Sequence, residues 1–131
     1  MSFDVHLLAF DHGDAGSRDA SGVRDLILRH AKEKGELHVL VGYGDGEADV
    51  YGLPAEGEPL TSLTFNHVNG EDPWELIVQV AHAADLVIVP AGCPVCLVSD
   101  RQRPHLPKEI AGARATVVRD GRGLLRAIRT S

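Results

Sequence analysis

Two stretches hold residues whose types and spacing could do chemistry: D-H-G-D-A-G-S-R from Asp11 to Arg18, and C-P-V-C from Cys93 to Cys96. A C-x-x-C spacing serves thiol–disulfide exchange when a helix N-terminus lowers the pKa of the first thiol. The same spacing supplies two ligands of a zinc site. No second C-x-x-C exists, so His12, His82 or His105 would have to complete a ligand set with Cys93 and Cys96. Without either chemistry, the two cysteines are small apolar residues at a buried strand entry, where cysteine is common.

The first stretch suits an anion. Glycines, a hydroxyl and an arginine ahead of a helix N-terminus present backbone N–H groups and the positive end of the helix dipole. Gly13, Gly16 and Ser17 would offer backbone and hydroxyl contacts, and Arg18, joined by Arg101 from a later loop, would offer charge. Asp11 and Asp14 would repel a bare phosphate and call for a cation such as Mg²⁺ between them and it. The loop is not a Walker motif and does not complete G-x-G-x-x-G. The plainer alternative is a capped, solvated turn. His12, at a strand end beside two aspartates, is a candidate acid–base group or metal ligand. His6 and His38 fall in predicted strands, and His30 and His82 on predicted helices, where packing or surface positions are the simpler reading. G-x-S-x-G is absent, and no Ser/His/Asp triad can be assigned.

The elements that would position these groups centre on Asp85–Val89. Leu86, Val87, Ile88 and Val89 are consecutive apolar residues, three of them β-branched, and predict a strand buried on both faces. Pro90 and Gly92 end it. Before it, D-P-W-E (Asp72 to Glu75) is a helix start with Asp as N-cap and Pro at the first helical position. That helix should end near Ala84, giving a strand–helix–strand unit with parallel strands. At the front, Phe3–Phe10 predicts a strand, and a helix follows from Asp19 or Ser21 through Lys34, with Gly35 as its stop. Glu36–Tyr43 predicts a second strand, and residues 44–67 a β-hairpin insertion at a sheet edge. Ala115–Val118 is the last strand, and Asp120–Thr130 a terminal helix.

This alternation predicts one α/β domain over residues 1–131. Its architecture would be three-layer α-β-α, with a doubly wound, mainly parallel sheet of about five strands, flavodoxin-like or Rossmann-like. Ligands in such sheets sit beyond the carboxyl ends of the strands, which would bring together the loops Asp11–Arg18, Ala91–Cys96 and Asp100–Arg103.

Composition narrows the partners. The net charge of −6 conceals an asymmetry: residues 1–100 hold 5 Lys/Arg and 17 Asp/Glu, whereas residues 101–131 hold 8 and 2. The two ends either cover each other or leave a basic region, with Arg101, Arg103, Lys108, Arg114 and Arg119, for an anionic ligand or partner. The acidic total and the lack of a Lys/Arg run with interleaved aromatics argue against nucleic acid. No apolar run of membrane-spanning length and no secretion signal are present, and two cysteines do not make a disulfide framework. A reducing cytoplasm is therefore expected.

Two short segments resemble known families. C-P-V-C-L-V (residues 93–98) resembles the closing strand of universal stress proteins, without the glycine-rich phosphate loop that precedes that strand. H-L-L-A-F-D-H-G-D-A-G-S-R-D (residues 6–19) is similar to the start of the small cobalt/iron chelatases of tetrapyrrole synthesis. His12 matches their first metal-site histidine, with Cys93 or Cys96 in the neighbourhood of the second. Neither motif is complete. The C-x-x-C also comes later in the chain than in thioredoxin-like proteins. These resemblances bear on the fold class more than on any activity.

Three functions remain as expectations. The first is a ligand-binding domain for a phosphorylated small molecule or nucleotide. The second is an enzyme using Cys93 or Cys96 with His12, through a thiolate or a bound metal. The third is an interaction module whose β insertion adds an edge strand to a partner or to a second copy as a homodimer.

Overall fold

The computed structural model describes residues 3–110 and 114–130 of the 131-residue chain. In chain order its strands are β1 (Val5–Leu8), β2 (Phe10–Asp11), β3 (Asp14–Ala15), β4 (Ala31–Lys34), β5 (His38–Tyr43), β6 (Gly46–Tyr51), β7 (Ser62–Asn69), β8 (Val87–Pro90), β9 (Cys96–Leu97) and β10 (Thr116–Val117). The helices are α1 (Ser21–Arg29), α2 (Pro73–Ala84) and α3 (Gly121–Arg129), with a 3-10 helix at Asp100–His105. Eight strands form one sheet in the order β10-β9-β8-β1-β7-β6-β5-β4, and β2 pairs only with β3.

One face of that sheet makes the core. Side chains alternate across the pleat, so Val5 and Leu7 share a face with Phe65, Leu63, Val50, Val39 and Ile88 through the strand registers. These residues are buried, together with Val23 and Ile27 of α1, Leu76, Ile77 and Val80 of α2, and Leu124 of α3. The helices therefore form a single layer. On the opposite face a smaller cluster of Val87, Leu97, Leu106 and Ala115 covers only the β8–β9 end.

The predicted three-layer, flavodoxin-like or Rossmann-like architecture is overturned. Every pairing in the large sheet is antiparallel except β9 with β10. The physical reason lies in β1. Strands β7 and β8, joined by α2, do run in the same direction, but β1 inserts between them and pairs antiparallel with both. A strand–helix–strand pattern looks the same in sequence whether or not a third strand splits it. The fold-level basis for expecting a nucleotide at strand carboxyl ends goes with the parallel sheet, as does the support that the two family resemblances lent it.

Two further corrections follow. The helix predicted through Lys34 ends at Arg29, and A-K-E-K becomes β4, because pairing with β5 outweighs its helical propensity. Residues 44–67 are not an edge insertion: β6 and β7 lie in the interior of the sheet, joined through Gly44 at φ 57° and Asp45 to β5. The Asp45 carboxylate accepts from the N–H groups of Glu71 and Asp72, which holds its pKa below the ordinary carboxylate value and ties this turn to the start of α2.

Candidate functional site

The D-H-G-D segment is a β-hairpin rather than an open loop. Asp11 pairs with Asp14, leaving His12 (φ 51°) and Gly13 (φ 87°) as its two turn residues. Two positive φ values are what a type I′ hairpin turn requires, and Gly13 adopts one without penalty. The turn grips the end of the 3-10 helix. His12 N–H donates to His105 Nδ1 at 3.0 Å, Gly13 N–H donates to the His105 carbonyl at 3.0 Å, and the two imidazoles lie 4.7 Å apart at a tilt of 58°. A ring that accepts at Nδ1 carries its proton on Nε2.

Arg18 ties this hairpin to the end of α2. Its Nη1 donates to Asp11 Oδ2 (3.1 Å) and to the Ser17 carbonyl, Nη2 to the Phe10 carbonyl, and Nε to the Asp85 carbonyl. Nη2 also lies 3.6 Å from Asp85 Oδ2. The hydrogen bond and charge of Arg18 hold the Asp11 carboxyl below its usual pKa. Gly16 packs against the Asp11 side chain, where a Cβ would collide. Asp11, Gly16 and Arg18 are therefore engaged with one another, and Asp14 and Ser17 stand exposed.

Beside this assembly the last turn of α2 and the 3-10 helix enclose a cleft of about 360 Å³, lined by His82, Asp85, Val98, Ser99, Arg101 and His105. Asp85 enters it from a left-handed helix cap at φ 53°. Buried Gln102 pins the floor: its Nε2 donates to Asp85 Oδ1 (2.9 Å) and the Leu86 carbonyl, and its Oε1 accepts from Val98 N–H. Ser99 Oγ accepts from the N–H and Nε of Arg101. The Arg101 Nη groups and the His82 ring have no partner among the described residues. The hairpin tip at His12 and the 3-10 helix that carries Arg101 thus meet at His105, without the Ala91–Cys96 loop that the sequence reading set beside them.

Comparison with protein-family models, curated proteins and solved structures returns no match.

The cysteines lie elsewhere. Leu8 pairs with Val87 and Val5 with Pro90, so the segment after β1 and the segment after β8 leave opposite ends of the sheet. Between these two departures lies the length of β8, about 10 Å from its first Cα to its last. Cys93 is half-buried beside Glu109 and Arg114, and buried Cys96 donates to the Pro94 carbonyl. Burial, with a smaller contribution from Cys93, pushes the Cys96 thiol up to about 11. Cys93 thus follows the end of β8 away from the hairpin, and Cys96 lies in the core beside Ile88. Among the described residues no three His, Cys, Asp or Glu side chains gather to hold a metal ion, so the Mg²⁺ and zinc expectations find no preformed site.

Sequence reasoning missed the helix-free sheet face. His6, Thr64, Tyr51 and His38 are cross-strand neighbours in one row over β1, β7, β6 and β5. His6 Nδ1 lies 3.0 Å from Thr64 Oγ1, and Asp49 sits between His67 (3.0 Å) and His38 (3.8 Å). The signal was present: polar residues recur at every second position of E-A-D-V-Y and S-L-T-F-N, the period of a strand with one wet face.

Proposed function

We propose that the protein binds a small molecule carrying an anionic group, a phosphate ester being the best chemical fit, in the cleft between the end of α2 and the 3-10 helix. One observation carries this reading. The cleft's single carboxylate, Asp85, is already engaged by Gln102 and lies 3.6 Å from the Arg18 guanidinium, so the groups left for a ligand are donors: Arg101 Nη, the Nε2–H of His105 and the His82 ring. A planar guanidinium meets phosphate in bidentate fashion. The basic balance of residues 101–131 adds a favourable field around Arg101.

The test is a thermal-shift titration with inorganic phosphate, pyrophosphate and glucose 6-phosphate, with glucose as the neutral control. A ligand at one hundred times its Kd stabilises by about 2.7 kcal/mol, a rise of several degrees for a domain of this size. Exposed Arg101 is replaceable without disturbing the core, and Arg101→Ala should abolish the shift. Equal shifts in wild type and Arg101→Ala, or none with any anion, would end the proposal.

A further inference from the structure

The two edges of the large sheet differ in a way that points to a partner. β4 at one edge reads A-K-E-K, with Lys32, Glu33 and Lys34 all exposed, and such charges discourage another strand from adding there. β10 at the other edge reads T-V, and both side chains are exposed. Thr116 N–H donates inward to the Val95 carbonyl (3.0 Å) and Val118 N–H to the Leu97 carbonyl (2.7 Å). Alternation along the strand therefore directs the N–H and C=O of Val117 outward, away from β9. Val117 is also one of two large apolar side chains left exposed among the described residues.

This edge opens onto a groove of about 500 Å³ between β10 and α3, lined by Pro94, Val117, Ala127 and the arginines Arg119 and Arg126. The groove's one carboxylate, Asp120, caps α3 by accepting from Gly123 N–H at 2.8 Å. Both arginines are exposed. A ready backbone edge, an apolar strip and two cations define what would fit.

We propose that β10 takes an extended, acidic segment of a partner protein as a ninth strand, with its carboxylates on Arg119 and Arg126 and an apolar residue against Val117. Main-chain hydrogen bonds to Val117 supply the pairing, and the arginines supply the selection for acidic sequence. A second copy of this chain is a poor occupant, because β10 paired with β10 sets Arg119 and Arg126 against themselves. The site is independent of the cleft at Arg101 and stands whether or not that cleft binds an anion.

The experiment uses the full chain and a fluorescein-labelled heptapeptide of alternating Glu and Val, with the Lys/Val heptapeptide as control. Fluorescence anisotropy should rise saturably with the acidic peptide alone, and binding should weaken about tenfold in Arg119→Glu/Arg126→Glu. Hydrogen exchange at Val117 N–H should slow when the acidic peptide is present. Val117→Pro, which deletes the outward donor and leaves the ladder to β9 intact, should also weaken binding about tenfold. If that variant fails to fold, the charge-reversal pair still decides, since both arginines are on the surface. Equal binding of the two peptides, no acidic-peptide binding, or unchanged affinity after charge reversal would overturn the proposal. So would a concentration-dependent dimer that protects Val117.

Discussion

The backbone N–H of His12 donates to Nδ1 of His105 across 93 residues of chain, at 3.0 Å. The contact joins the tip of the first hairpin to the last residue of the 3-10 helix, so each of two short elements is held by the other. Neither is long enough to be stable alone. The donor is main chain, and any residue but proline at position 12 keeps it, whereas only an acceptor at position 105 completes it. His105→Ala should therefore lower stability by about 1 kcal/mol. His12→Gly should be neutral or mildly stabilising, since glycine adopts φ 51° without strain. Urea midpoints of the two variants check the contrast. Equal losses would show that the His12 ring, and not its N–H, makes the contact.

Asp11 predicts an acid limb. Arg18 depresses the Asp11 pKa in the folded state, so the pair stabilises above the ordinary carboxylate pKa of 3.8 and loses that contribution as pH falls through the lower folded value. Wild type should melt higher than Asp11→Asn above about pH 5, and the two should approach each other as pH falls below 3.8 toward the lower folded value. The effect should be small, because the Asp11 carboxylate is half-exposed to solvent. Divergence on acidification would contradict the assignment of Arg18 as its partner.

The cysteines should differ in reactivity. With its pKa near 11, Cys96 is thiolate in only about one molecule per thousand at pH 8, and it is fully buried. Iodoacetamide at pH 8 should label Cys93 alone in the folded protein and both residues in 6 M guanidinium, approximated as full unfolding. Mass spectrometry of the two samples reads this directly. Rapid native labelling of Cys96 would mean that the β8–β9 end opens far more readily than its packing against the core implies.

How much of this was legible in the sequence depends on which distances decide each feature. Helix α2 and its start at Pro73 could be read locally, because proline geometry acts within the first turn, although the Asp72 side chain accepts from Asp45 N–H and makes no cap hydrogen bond to the helix. The strand at Val87–Pro90 could be read from its apolar run. That β1 would pair with both β7 and β8 could not, since the paired residues lie 54 to 85 positions apart and leave no local trace. The same gap decided the site. Asp11 and Arg18 were singled out as ligand-loop residues on composition, and the structure uses both to staple the hairpin. Arg101 was placed near that loop through a parallel sheet that does not exist. It arrives there because His105 is captured by the hairpin turn. The H-G pair at positions 12 and 13 was itself a hairpin signal, weaker than N-G or D-G but of the same kind.

Gly121 and Gly22 offer a paired test of how α3 docks. A Cβ on Gly121 would overlap the backbone of Trp74 and Glu75 at the start of α2, whereas one on Gly22 would meet open space. Gly121 N–H also donates to Glu75 Oε1 at 2.9 Å, so the first turn of α2 satisfies the first free donor of α3. Both glycines sit in the first turn of a helix, and alanine has the better helical propensity at each. Propensity alone therefore predicts that both substitutions stabilise. Packing predicts opposite signs: Gly22→Ala should gain about 0.5 kcal/mol, and Gly121→Ala should lose about 1–3 kcal/mol as α3 is pushed from α2. Because α3 also forms one wall of the groove beside β10, Gly121→Ala should speed hydrogen exchange along Leu124–Ile128, whereas Gly22→Ala should leave that exchange unchanged. Equal stabilisation by both alanines would mean that α3 is not seated on α2 at Gly121.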